Sequence, residues 1–184
     1  RLPLPGGAIR HARHADAAMG PGLLRPPLDQ IAAGLGRALA AMALLAFQGA
    51  GHTTKQGEFQ KEVTKGWAAL LKMQDKDGLF YHEGAHHQAL YAQGQATIAI
   101  CELYGMTKDP EYKKPAQRAI DYAVKIQSPE GGWRYIPGQD SDTSVTGWCV
   151  MALKSAAASN LAIPHTSLDG ARAWIDAVTD DAGV

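Results

Sequence analysis

The strongest constraint on this chain is an internal repeat with a period of 53 residues. Lys65-Gly66-Trp67-Ala68-Ala69-Leu70-Leu71-Lys72-Met73-Gln74 runs into Asp75-Lys76-Asp77-Gly78-Leu79-Phe80. Shifted by 53, Arg118-Ala119-Ile120-Asp121-Tyr122-Ala123-Val124-Lys125-Ile126-Gln127 runs into Ser128-Pro129-Glu130-Gly131-Gly132-Trp133. Each copy has a basic residue, an amphipathic stretch, a Gln nine residues on, a Gly four later and an aromatic two after that. A period of this size marks one supersecondary unit stacked on copies of itself, because one unit alone cannot bury its apolar face.

The segments between these copies repeat as well. Gly94-Gln95-Ala96-Thr97-Ile98-Ala99-Ile100 lies 53 residues before Gly147-Trp148-Cys149-Val150-Met151-Ala152-Leu153. Ala43-Leu44-Leu45-Ala46-Phe47 matches Ala99-Ile100-Cys101-Glu102-Leu103 at an offset of 56. These stretches are richer in Ala, Cys and Gly than 58–74 or 112–127. Helices apolar on several sides are inner helices; helices with Lys, Glu and Asp on one face are outer ones. The periodicity predicts helices over 38–48, 58–74, 89–104, 110–126, 143–159 and 168–178, with stops at Gly105 and Asn160. The fold expected is all-α, in helical hairpins forming two layers. The repeats occupy 35–184. Residues 1–34 match no copy, hold five of the ten prolines and are expected to be irregular.

Composition narrows the partners. The 184 residues are 46% apolar, enough for a sizeable core. Net charge is zero, so no global field favours nucleic acid or an anionic membrane, and no basic-aromatic stripe suggests nucleic acid. Cys101 and Cys149 cannot form a disulfide framework and read as small buried hydrophobes. The longest apolar run, 38–47, is too short to span a bilayer. A basic residue before it and Gly49-Ala50-Gly51 after it imitate a signal peptide, but the repeat accounts for the same residues. The chain stops inside a third repeat and is expected to be a fragment.

The unit Arg118-Ala119-x-x-Tyr122-x-x-x-x-Gln127-x-x-x-Gly131-x-Trp133 resembles the QW repeat of squalene and oxidosqualene cyclases, with related repeats in protein prenyltransferase β subunits. The copy at 65–80 departs from it, with Ala69 for the first aromatic and Phe80 for Trp. The resemblance covers residues from about 38 onward and implies an α/α toroid. Some three hairpins would give only an open arc of it, to be completed by the remaining repeats of a longer chain. It also implies a structural role for Gln74, Gly78, Phe80, Gln127, Gly131 and Trp133, with Gln and aromatic tying the loop to helix ends. The chemistry suits this: a Gln amide satisfies orphan groups at a helix end, and an aromatic closes the loop by burying area. Stacking on a sugar is the alternative for Trp133.

The candidate chemistry centres on Gln139-Asp140-Ser141-Asp142-Thr143. Squalene-hopene cyclases carry Asp-x-Asp-Asp-Thr in such a place, and its middle Asp protonates an alkene. Aligned on Thr143, this chain puts Ser141 at the proton donor, and a serine hydroxyl cannot protonate an alkene. Asp140 and Asp142 are therefore the candidate catalytic residues of a degenerate motif. Against this stands a helix cap: Asp142 or Ser141 accepts a hydrogen bond from a backbone N–H two or three residues on. A ligand or anion contact at the rim is a third reading. Asp140-x-Asp142 is too short an acidic cluster for metal-diphosphate binding. His82, His86 and His87 suit zinc only if a helix runs through Gly84, and otherwise cap the following helix or line its rim. No cofactor or metal is expected, and no phosphate loop or Ser/His/Asp signature is legible.

Three functions fit these residues. The resemblance implies a terpenoid cyclase-type protein acting on a polyprenoid in an apolar inner cavity. The degenerate motif favours instead a non-catalytic toroid that binds a lipid, peptide or glycan. A prenyltransferase-like subunit would need zinc.

Overall fold

The computed structural model describes residues 28–81 and 86–180, and for 28–35, 37 and 86–88 the backbone alone. The described residues form six α-helices and no strand: α1 (Leu28–Gly49), α2 (Gln60–Leu71), α3 (His86–Thr107), α4 (Pro110–Lys125), α5 (Thr143–Ala158) and α6 (His165–Val178). The all-α expectation holds.

The helices divide as their composition predicts. α1, α3 and α5 pack side by side in a row, α3 between the other two. Residues one period apart touch across that row. Tyr91 Oη donates to Ser144 Oγ at 2.9 Å, and Ser155 Oγ donates to Glu102 Oε1 at 3.1 Å. Both pairs are 53 apart, so α3 and α5 run in the same direction and in register. α2 packs on α1, α4 on α3 and α5, and α6 on α5. The row supplies Ala41, Leu44, Ala96, Ala99, Ile100, Leu103, Ala152 and Leu153 to the core; the outer helices add Val63, Trp67, Ala116, Ile120 and Ala171. Small side chains along α3 let neighbours close in on both sides, which is how a helix with little amphipathic character is stabilised. Each fully buried Leu or Ile contributes about 1.5–3 kcal/mol.

Caps set the boundaries. Asp109 accepts from Glu111 N at 3.1 Å ahead of Pro110, the first residue of α4. Lys108 and Asn160, both at positive φ, end α3 and α5 in left-handed backbone. Two lysines one period apart join each unit to the next. Lys55 Nζ donates to Thr107 O, and Lys108 Nζ to Ser159 O, each at 3.3 Å. Both are cations at the C-terminal end of an inner helix, where the macrodipole favours them.

Several boundaries differ from expectation: α2 is shorter at both ends than 58–74, α3 starts three residues before 89, and α6 starts three before 168. Two further differences have a clear physical reason. α1 begins at Leu28, so residues 28–34, assigned above to the irregular segment, are helical. Pro26-Pro27 precede rather than interrupt the helix, Leu28, Ile31 and Leu35 keep its spacing, and Ala32-Ala33 are strong helix formers. Residues 1–27 lie outside the described residues. α3 runs through Gly105 to Thr107. Gly105 is a packing glycine: a Cβ there would lie 2.5 Å from Ser159 Oγ, which donates to Cys101 O at 2.7 Å.

Candidate functional site

The repeated loops form the first candidate region. After α2, Asp75 N donates to Leu79 O at 2.9 Å and Gly78 N to Asp75 O at 3.2 Å. After α4, Ser128 N donates to Gly132 O at 2.9 Å and Gly131 N to Ser128 O at 3.0 Å. Both turns need a glycine, since φ is 98° at Gly78 and 100° at Gly131. Each glycine also lies against the carbonyl of the next outer helix. A Cβ on Gly78 would lie 2.1 Å from Arg118 O, and one on Gly131 2.2 Å from Gly170 O.

The glutamines connect the same parts. Gln74 Nε2 donates to Pro115 O at 2.9 Å and to Gly78 O at 3.4 Å, while its Oε1 accepts from Arg118 at 2.7 Å. Gln127 Nε2 donates to Gly131 O and, at 2.8 Å, to Ser167 O; its Oε1 accepts from Ser167 Oγ at 2.6 Å. Pro115 sits inside α4 and Ser167 in the first turn of α6, so each glutamine ties the end of one outer helix to the next.

Phe80 and Trp133 are buried at the end of these loops. Phe80 N donates to Gln93 Oε1 at 2.8 Å; Trp133 N donates to Thr146 Oγ1 at 3.0 Å, and Trp133 Nε1 to Ala123 O at 2.8 Å. With its indole sealed in the core, Trp133 offers no face to a sugar. Gln93 and Thr146 were not singled out from the sequence, although they lie one period apart.

The second region is the mouth of α5. Asp142 is its N-cap: the backbone is extended, and Oδ1 accepts from Val145 N at 2.8 Å. The segment is anchored by Asp142 N donating to Trp133 O at 2.9 Å. Arg134, also unanticipated, lies between the two carboxylates. Its NH1 donates to Asp140 Oδ2, and its Nε stands 3.9 Å from Asp142 Oδ2. Asp140 Oδ1 accepts from Ser141 N at 2.7 Å, and the Ser141 and Ser128 hydroxyls meet at 2.7 Å. The bond to Asp140 holds the Arg134 guanidinium above its ordinary pKa. Its Cζ lies 5.5 Å from the centroid of the Tyr135 ring, which is 6.3 Å from that of Tyr91. Burial, then Asp142, push the Tyr135 phenol upward.

These contacts define what the carboxylates can do. A donor to an alkene must present an O–H to an apolar, water-excluded surface. Here the Asp140 side chain is 49% exposed, and its oxygens accept from Ser141 N and from Arg134. Asp142 Oδ1 accepts from Val145 N, while its Oδ2 is shut off from solvent without a hydrogen bond, 3.9 Å from the Arg134 Nε, whose positive charge favours the ionised carboxylate over a proton donor.

Cys101 and Cys149 are free and buried. Burial, helped by Asp142, pushes the Cys149 thiol up to about 12; burial and Glu102 raise that of Cys101. Both thiols are therefore poor nucleophiles. Among the described residues no group of three His, Cys, Asp or Glu could hold a metal ion, and no helix is long and apolar enough to cross a membrane. The side chains of His82, His86 and His87 lie outside the described ones. No family model, curated protein or solved structure matches this chain.

Proposed function

We propose that this chain forms an arc of an α/α toroid of the terpenoid cyclase and prenyltransferase superfamily, binding a polyprenoid or similar apolar chain on its inner row without catalysing a reaction itself. The observation that carries the reading is a line of apolar residues at equivalent repeat positions of the three inner helices: Met42, Ile98 and Met151. Met42 is 42% and Met151 46% exposed, flanking a buried Ile98. Such a line, with Leu39 exposed and Trp148 half-buried nearby in sequence, suits an extended hydrocarbon better than a polar ligand. The commitment of Asp140 and Asp142 to Arg134 and to the α5 cap supports binding over turnover, as does Ser141 at the proton-donor position. A non-enzymatic toroid for a lipid is the reading closest to this; a glycan would want exposed aromatic faces and polar groups in that line.

The test is titration with geranylgeraniol below its aggregation limit, followed by tryptophan fluorescence. Saturable binding is expected, weakened about tenfold by Met42→Asp or Met151→Asp, since a charge beside a hydrocarbon goes unpaired. Equal binding by the variants would reject the inner row as the site. Cyclised product from squalene would reject the non-catalytic assignment.

A further inference from the structure

The two junctions between successive outer helices are equivalent in backbone but not in content. At the first, the carbonyl of Arg118 lies against Gly78; at the second, the carbonyl of Gly170 lies against Gly131. Gly170 therefore occupies the structural position of Arg118, and Gln127 that of Gln74. The Arg118 guanidinium fills the first junction: NH2 donates to Gln74 Oε1 at 2.7 Å, and Nε is sealed from solvent. Gly170 supplies no side chain to the second. A cleft of about 370 Å³ lies there, bordered by Gln127, Ser128, Ser167 and Gly170.

We propose that this cleft is a binding site for a guanidinium group, namely the arginine side chain of a partner chain. The first junction shows the chemistry that fits, because the protein places its own guanidinium against the same glutamine there. Gln127 Oε1 accepts one bond from Ser167 Oγ and keeps a second lone pair for a planar donor. The remaining acceptors at the junction are the carbonyls of Gly131 and Ser167, to which Gln127 Nε2 already donates. The space is real at its base, since a Cβ on Gly170 would make only ordinary contacts, 3.5 Å from Gln127 Nε2 and from Gly131 Cα. A lysine ammonium lacks the planar fork and suits the cleft less well.

The experiment is a titration of the isotopically labelled full chain with Nα-acetyl-argininamide, read by the NMR shifts of the Gln127 side-chain amide and the Gly170 backbone amide. Saturable shifts in the millimolar range are expected, with Nα-acetyl-lysinamide at least about tenfold weaker. Gly170→Arg should abolish the shifts and raise the unfolding temperature, because the chain then fills its own cleft. Absence of saturable shifts, an equal response to the lysine analogue, or shifts persisting in Gly170→Arg would each overturn the assignment.

Discussion

The loop after α2 has Asp75 at its turn, Gln93 beneath its aromatic and Arg118 beside its glutamine; the loop after α4 has Ser128, Thr146 and Gly170 in those places. Retained in both are the glutamine, the glycine and the buried aromatic. The difference separates two kinds of requirement. Where backbone approaches backbone, as at Gly78 and Gly131, no other residue serves. Where one N–H needs an acceptor, a carboxamide and a hydroxyl serve equally, so Gln93 and Thr146 interchange without disturbing the loop.

The largest expected effect on this comparison comes from the aromatics. Trp133→Ala and Phe80→Ala should each cost about 3–5 kcal/mol in denaturant unfolding, from lost burial plus the cavity left behind. Next come the glycines. Gly78→Ala and Gly131→Ala should each cost about 3 kcal/mol, combining left-handed strain with a carbonyl clash. Similar losses at both sites are expected, and a loss at only one would show that the loops are not equivalent. The acceptors follow: Thr146→Val should cost about 2 kcal/mol by stranding the buried Trp133 N–H. Gln93→Leu should cost more than Thr146→Val, because Gln93 also donates to Gly78 O at 3.0 Å. The smallest effect is expected at the mouth of α5, where Asp142→Ala should cost about 1 kcal/mol and Asp142→Asn much less, since the amide oxygen still caps. If Asp142→Ala proved stabilising, the cap would not be its main role.

Much of this was legible because the repeat carries its own controls. Helical spacing and the shift from charged to small residues separated outer from inner helices, and Asp142 was readable as a cap from its place before Thr143. Arg134 was not: a single basic residue after an aromatic gives no sign that it will fold back six residues to Asp140. Gln93 and Thr146 differ in residue type, so their shared acceptor role emerges only from the period. Gly105 misled because glycine marks both helix ends and close helix contacts, and only the position of Ser159 distinguishes them. The early start of α1 was hidden by proline-rich composition, which describes the residues before Leu28 rather than those after it.

The lysine contacts at Thr107 and Ser159 complement the glutamine contacts at Pro115 and Ser167, so neighbouring units are joined through both loops and helix ends. Stability in such an array accrues per interface rather than per helix. Opening one unit costs its own contacts and the whole of its interface with each neighbour. Amide hydrogens of α3, flanked by α1, α4 and α5, should thus exchange through the most global opening, while those of α2 and α6 escape through smaller ones.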